Sequence, residues 1–429
     1  MPSSHFSSST RRQAIKSLAA LATIQIVPSH VLGKNGQTPP SEILTKGIIG
    51  CGNISRSQHL SMPGKLLAIC DCDSQHLAEV SKIAKEKKGE KDFKEYSDWR
   101  ELIARDDIDI VHVATPPHWH AKMAIEAAKA GKDIWCEKPM ARTIGEAMAM
   151  VKAVEKHERI FRINTWFRFK GGFYGMGAPV SMIKKAVMND MLGWPLKVTV
   201  SKHTGFGWKL GVWSGKPGLK PEPVPKHLDY DMWLGPAPKK PYNSQRVHDK
   251  FRGYWDYDGG GLGDMGQHYL DPVQYILGKD NEAPVSVEID ADPQDKEAVG
   301  KWRRIEFTYA DGCKIICDGD DSMKGASFIE GPKGKMMKRL QSDIPDLVKK
   351  VKDLPEPPAQ NVDFHQCVRE RKKFALNEQN GFWSSTMVNM GITAHRLNKN
   401  LKFDSKTLKF DDDEANGLIN QPMREPWQI

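Results

Sequence analysis

Two short stretches carry side chains able to manage a proton at a reacting oxygen. In 134–140, the apolar run Ile134-Trp135-Cys136 leads straight into Glu137, Lys138 and Pro139. An ammonium at such a place can hydrogen-bond a reacting oxygen and stabilise the negative charge that develops on it. Being half-buried, it needs partners of its own, and Glu137 is the nearest. In the glycine-rich stretch 259–271, Asp264 precedes His268 by four residues, which puts both on one helix face. The glycines lead into that helix, with Asp264 expected in its first turn. An acid beside an imidazole can fix its tautomer and stabilise the imidazolium, which suits a general base. Two other readings stay open. The pair could chelate a metal if His118 or His120 joined it, or Asp264 could be a helix cap beside an unrelated buried His268.

A third stretch points to a cofactor. Gly50-Cys51-Gly52-Asn53-Ile54-Ser55 follows an apolar run and matches Gly-x-Gly-x-x-Gly, except that Ser55 holds the third place. The first glycine permits a tight turn, the second lets the backbone approach a pyrophosphate, and the third serves close helix–strand packing. Asn53 and Ile54 lie in the same turn. The apolar run 66–70 ends in Asp71, 21 residues after Gly50. An acid at that offset accepts hydrogen bonds from the ribose hydroxyls of NAD and repels a 2′-phosphate, so NAD is favoured over NADP. Asp73 competes for the role, and an acid there can also cap the following helix.

These residues need a frame. Runs 108–114, 133–136 and 160–164 read as strands, and 74–90, 97–104, 121–130 and 143–157 as helices between them. The alternation predicts a Rossmann-type, doubly wound parallel sheet over 43–165, with ligands at the carboxyl ends of its strands. Thr115-Pro116-Pro117-His118-Trp119-His120 and Glu137-Lys138-Pro139 both fall at such ends. After Asn164 the alternation stops. Strands at 196–202, 285–290, 303–309, 313–317 and 327–330, with a hairpin turn at Asp311-Gly312, predict an α+β domain over 166–429 built on an open, largely antiparallel sheet. Trp208, Trp213, Trp233, Trp255, Tyr230 and Tyr257 could line a carbohydrate pocket or pack for stability.

In combination, Gly50-Cys51-Gly52, the 115–120 stretch and Glu137-Lys138-Pro139 resemble the glucose–fructose oxidoreductase / inositol dehydrogenase (Gfo/Idh/MocA) family. The resemblance extends to Gly-Gly followed by Asp264-x-Gly266-x-His268. It implies hydride transfer between a sugar-like CH–OH and nicotinamide, with His268 as base oriented by Asp264 and Lys138 on the same oxygen. It implies a cofactor site of Gly50, Gly52, Asn53, Ile54, Asp71, Thr115, Pro116, His118, His120, Glu137 and Lys138. His118 stands where that family commonly has an Asn or similar residue. Lys138, His268 and Arg168 would contact the carbohydrate. The resemblance also implies a cis Lys138–Pro139 bond, and homo-oligomers built on the second sheet.

The bulk numbers set limits. Charged residues make up 27% and hydrophobic ones 39%, ordinary for a globular protein, with a net charge of +9. The basic residues are scattered among acids without a recognition helix or basic–aromatic array, so nucleic acid is not an expected partner. The seven cysteines are odd in number and sit mostly in apolar runs, which suits structural thiols better than a disulfide framework or a metal site. Arg11-Arg12, Lys16 and a short, mildly apolar stretch resemble a twin-arginine export signal over 1–33, followed by a linker at 34–42. That stretch is too short for a membrane span. Export by the twin-arginine machinery to a periplasmic or other extracytoplasmic space would carry a folded protein with its cofactor in place. A tightly held NAD regenerated in the site is therefore expected. Three classes remain: a carbohydrate oxidoreductase, an NAD-retaining glycosidase or epimerase with no net redox change, and a non-catalytic binding protein.

Overall fold

Six strands, β1 (Thr45–Ile49), β2 (Lys65–Cys70), β3 (Lys94–Tyr96), β4 (Ile110–Val113), β5 (Asp133–Cys136) and β6 (Phe161–Ile163), pair in the order β3-β2-β1-β4-β5-β6, every pair parallel. All of β4 and β5 is buried, as strands covered on both faces require. The covering helices are α1 (Asn53–Ser57), α2 (Ser74–Lys88), α3 (Trp99–Ile103), α4 (Pro117–Lys129) and α5 (Ile144–Lys156). Their starts follow from sequence. Asp73 caps α2 by accepting from the Gln75 and His76 amides, Asp98 caps α3, and Thr143 caps α5 through the Glu146 amide. The strand order turns around between β1 and β4, which opens a crevice at their carboxyl ends. This computed structural model describes residues 43–165, 167–169 and 171–429. The export segment and the linker expected from the sequence lie outside the described residues.

The second sheet has eight strands: β7 (Lys197–Val200), β8 (Ser286–Ala291), β9 (Trp302–Thr308), β10 (Lys314–Asp318), β11 (Ile329–Gly331), β12 (Gly334–Met336), β13 (Leu401–Asp404) and β14 (Lys409–Phe410). Their order is β12-β11-β7-β10-β9-β8-β13-β14. All neighbours are antiparallel except β7 and β10. The β9–β10 hairpin turns where Asp311-Gly312 predicted it, with Gly312 at φ +87° and Tyr309 and Cys313 closing the turn. Both sheets belong to one compact unit, Thr45–Ile429.

The connecting helices are α6 (Val180–Met188), α7 (Tyr230–Leu234), α8 (Gly260–Leu277), α9 (Leu347–Lys352), α10 (Phe364–Glu370), α11 (Glu378–Leu397) and α12 (Asp413–Gly417). Of these, α8 and α11 position the site. They lie close because Gly391 meets Leu262 and Phe307, where a Cβ would sit 2.8 Å from the leucine side chain. Gln267, buried on α8, accepts the Met140 amide at 2.8 Å and donates to Gly381 and Ser384 on α11. The segment after β5 is thereby fastened to α8. All seven cysteines are free, six of them buried. Among the described residues no helix is long and apolar enough to cross a membrane.

Candidate active site

The crevice is lined from the first half by Gly50, Gly52, Asn53, Ile54, Asp71, Thr115, Pro116, Glu137 and Lys138. Gly50 has φ +95°, and a Cβ there would meet the Ala114 carbonyl at 2.6 Å, so the turn admits only glycine. Around Gly52 nothing lies within 4 Å of where a Cβ would be, which is the clear approach a pyrophosphate needs. Gly52 also starts α1 without a side-chain cap, leaving its first amides for another acceptor. Ser55 fills the third glycine place without a clash. It is fully buried, and its hydroxyl donates to the Gly50 carbonyl.

Asp71 and Asp73 divide their duties. Asp73 is the cap of α2, whereas Asp71 faces the crevice, its Oδ2 held by the Cys51 amide at 2.6 Å and its Oδ1 by the Asp73 amide at 2.8 Å. Burial pushes the Asp71 carboxyl up to about 6, against the pull of those two amides. These features fit a nicotinamide dinucleotide: an open glycine that a pyrophosphate could approach, uncapped amides, and an acid fixed by backbone and facing the same crevice.

At the other end of the crevice, the Lys138–Pro139 bond is cis, and the Lys138 ammonium donates to the Asp264 carbonyl at 2.7 Å and to its Oδ1 at 2.8 Å. Asp264 lies one turn inside α8 rather than in its first turn. Its carboxylate also accepts from Arg252 Nε at 2.9 Å and Trp213 Nε1 at 2.8 Å, with Lys209 at 3.6 Å. Burial works to raise its pKa, but the cations of Lys138 and Arg252 outweigh it and hold the carboxylate well below its usual range. Here the structure departs from the expected dyad. The hydrogen-bond partner of His268 is Thr165, Oγ1 to Nδ1 at 3.0 Å, because Asp264 is taken up by its cations. Burial first, then the charge of Lys138, drives His268 down to about 3, so its ring is neutral. His268 is not among the residues lining the crevice. A metal at Asp264 and His268 does not fit an acid already facing three cations.

Three further expectations are corrected. His118 and His120 are buried and outside the crevice lining. His118 packs against Trp233 and Tyr257 with Nε2 at 3.0 Å from the Trp233 carbonyl, while His120 lies between the Thr115 and Pro139 carbonyls and ties the two loops together. Arg168 makes no pocket contact: its side chain is fully buried and paired with Asp271 and Asp280 through two hydrogen bonds each. Of the six aromatics, Trp208, Trp233, Trp255 and Tyr257 are buried in packing, Trp233 also lining the crevice, half-buried Tyr230 packs on Trp233 and Tyr242, and half-buried Trp213 serves Asp264.

Sequence reasoning missed several participants. Glu137 is anchored from behind by His59, Nε2 to Oε1 at 2.9 Å, and by the Asn164 amide, with His112 Nδ1 2.8 Å beyond His59. Burial opposes its ionisation, but His59 and Asn164 hold it down to about 2. Arg252 and Asp258 also line the crevice, and burial pushes Asp258 up to about 7 despite Arg252 nearby. No local spacing marks these residues: His59, His112 and Asn164 come from three different segments of the first half, and Arg252 and Asp258 from one stretch of the second.

Two family models cover most of the chain: an oxidoreductase family NAD-binding Rossmann fold over residues 44–165, and the C-terminal alpha/beta domain of the same family over 176–429. The chain belongs to the Gfo/Idh/MocA oxidoreductase family. Among curated relatives, levoglucosan dehydrogenase of Pseudarthrobacter phenanthrenivorans is 31% identical over 183 residues, 43% of this chain and 36% of that one. A glycosyl hydrolase family 109 protein of a Shewanella species is 35% identical over 128 residues, 28% of each chain. The matches thus span about a third of those relatives. Among solved structures, the WlbA dehydrogenase of Bordetella pertussis, in complex with NADH and UDP-GlcNAcA, superposes with TM-score 0.58 at 19% identity, over 84% of this chain and 98% of that one. The Gfo/Idh/MocA fold, a Rossmann-like sheet followed by a mixed one, is common to both.

Proposed function

We propose that the protein is an exported, NAD-dependent enzyme that transfers hydride at a CH–OH carbon of a sugar, polyol or glycoside and keeps its cofactor tightly bound. The observation that carries this is the Lys138 ammonium, held at the mouth of the dinucleotide crevice by Asp264 of the other half. When bound, nicotinamide supplies the hydride acceptor. Lys138 donates to the oxygen of the reacting carbon and stabilises charge there, while Asp264 and Arg252 fix where the ammonium sits. His268, neutral and anchored by Thr165 through Nδ1, has Nε2 for the hydroxyl proton once substrate brings that oxygen near. Asp71, ionised at neutral pH, supports the preference for NAD over NADP. The relative named levoglucosan dehydrogenase, and the structural neighbour in complex with UDP-GlcNAcA, support a carbohydrate substrate.

A second reading has its own support. The family 109 glycosyl hydrolase match supports an NAD-retaining glycosidase with no net redox change. One experiment separates the two. Anhydrosugars, sugar nucleotides, free aldoses and aryl glycosides are offered to the purified protein, with NADH absorbance and released products followed together. Net NADH with an oxidised sugar supports the oxidoreductase, and bond cleavage without net NADH supports the glycosidase. Cofactor binding with neither outcome would refute both. Nicotinamide that stays with the protein through gel filtration supports tight retention, and a chain purified empty refutes it.

A further inference from the structure

At the end of the crevice remote from Lys138, the β2–α2 turn meets two loops of the second half around one buried carboxylate. Asp73 is 1% exposed, and its Oδ1 is used in full by the Gln75 and His76 amides and by His227 Nδ1 at 3.0 Å. Its Oδ2 is buried and makes no hydrogen bond, yet His248 Nε2 stands 3.4 Å away. The His76 and His248 ring centroids stand 4.4 Å apart, the rings tilted by 58°. One donor atom each from Asp73, His76 and His248 falls within 4.8 Å of the others. A capping acid needs no such company.

We propose that Asp73, His76 and His248 form a binding site for one divalent transition ion of the zinc class. In a tetrahedral site with bonds of about 2.0–2.1 Å, donor atoms stand roughly 3.3 Å apart, and the Asp73–His248 edge already has that length. The remaining edges close by small rotations of two half-buried imidazoles. Two imidazoles and one carboxylate favour zinc or its neighbours over magnesium or calcium, which take oxygen ligands. His227, on the other carboxylate oxygen, orients the ligand as outer partners of metal sites do. The fourth position is left for water or a ligand.

The placement gives the ion a structural consequence. Asp73 and His76 belong to the first half, two and five residues past Asp71, while His248 and His227 belong to the second. The Ser74 amide already donates to the His227 carbonyl and the Asp229 amide to the Cys72 carbonyl, both at 2.9 Å. An ion there braces the two halves across the adenosine end of the crevice, beside the acid assigned to the ribose. Binding of the ion needs neither cofactor nor substrate, so it stands or falls apart from the proposed activity.

The test uses the full chain, treated with chelator, loaded with zinc or cobalt(II) and desalted. Zinc is expected at one equivalent per chain in the wild type and near background in His76→Ala/His248→Ala. Wild type that retains no more zinc than this variant overturns the site. Should the variant fold poorly, cobalt decides on the wild type alone: intense visible bands of a four-coordinate ion support the site, and the weak spectrum of the hydrated ion overturns it. Zinc is further expected to slow NAD release from the wild type, and release at equal rates with zinc and with chelator overturns the bracing role.

Discussion

Replacing Asp71 by Ala should erase the discrimination between NAD and NADP. The carboxylate is fixed by the Cys51 and Asp73 amides, so it cannot swing away from a 2′-phosphate placed at the ribose position. Two unit charges about 4 Å apart interact by about 4 kcal/mol at an effective dielectric constant of 20. With the carboxyl at about 6, protonation relieves that repulsion at a cost of about 1.4 kcal/mol at pH 7, so the charge alone counts for about tenfold against NADP there. For NAD the loss is a charged acceptor on the ribose, about 1.5–3 kcal/mol. The two terms add to about 3–4 kcal/mol, so a wild-type preference of about a hundred- to a thousandfold should fall to within about tenfold in Asp71→Ala. Alanine is the better probe than asparagine, whose amide would set a donor against one of the two backbone N–H groups. Calorimetric titration of both cofactors, with chelator present, gives the ratio directly. Protonation supplies an internal check. Because Asp71 is pushed up to about 6, the wild-type preference should shrink as pH falls from neutral through 6. The phosphate's own titration weakens NADP repulsion in the same range, but it acts on both proteins, so the difference between them isolates Asp71. A variant that keeps the wild-type ratio at neutral pH would refute the assignment of Asp71 to the ribose.

Three other substitutions probe the rest of the crevice. Lys138→Met should lower kcat/KM by about a hundred- to a thousandfold, with NAD affinity retained. The cost in stability should be about 1–3 kcal/mol, that of a lost buried hydrogen bond rather than of a stranded charge, since Asp264 keeps Arg252 and Trp213; turnover within a few-fold of wild type removes Lys138 from the chemistry. Asp258→Asn tests a buried acid pushed up to about 7. Between the ordinary carboxylate range and pH 7 the folded chain holds a proton the unfolded chain has lost, so this acid's contribution is largest at low pH and is lost as pH rises through 7, by at most about 4 kcal/mol. Thermal melts of the variant should show a flatter fall in stability over that window, and parallel profiles would contradict the assignment. Gly50→Ala places a methyl group 2.6 Å from the Ala114 carbonyl at φ +95°. Displaced β1 and β4 ends should abolish NAD binding by calorimetry and lower the melting temperature, whereas a variant that binds as wild type would show that the turn yields.

Most of the parallel sheet was legible because five of its strands are short, largely apolar runs that stop at a polar stretch, and three of its helices start at a capping Asp or Thr; β3, Lys94-Glu95-Tyr96, has no apolar run to announce it. The hairpin at Asp311-Gly312 was legible for the same local reason. The crevice between β1 and β4 depends on backbone geometry that glycines announce, so Gly50, Gly52 and Asp71 could be placed along it from the chain alone. The catalytic end was only half legible. Helical spacing put Asp264 and His268 on one face, but it carried no information on which cations would arrive from loops around Lys209 and Arg252. Arg168 failed for a related reason: its partners Asp271 and Asp280 lie more than a hundred residues on, and a buried arginine paired twice cannot be told from a pocket arginine by its neighbours in sequence. The cluster of Asp73, His76 and His248 likewise spans both halves, beyond the reach of any motif with fixed spacing.

The diversion of Asp264 from His268 changes what the site can do. An imidazole braced by a carboxylate is a strong base, because the acid stabilises the imidazolium that forms. His268 is held by a hydroxyl instead, and burial together with the Lys138 cation disfavours the imidazolium. The carboxylate is spent on holding the Lys138 ammonium in place at the crevice. Such an arrangement is weighted toward stabilising an alkoxide through Lys138, with proton removal by a weak base as the lesser part. The reactions it favours are those in which an oxygen must carry negative charge as hydride leaves its carbon. That requirement is shared by a net oxidation and by the first half of a redox-neutral cleavage. The choice between them therefore rests on what else the crevice holds next to the reacting carbon. Asp258, a buried carboxyl poised near neutrality and lining the same crevice, is the residue able to protonate a departing glycosidic oxygen. If cleavage without net NADH is found, Asp258→Asn should suppress it for poor leaving groups and spare it for nitrophenyl glycosides, whose departure needs no acid; equal loss with both would place Asp258 outside that step.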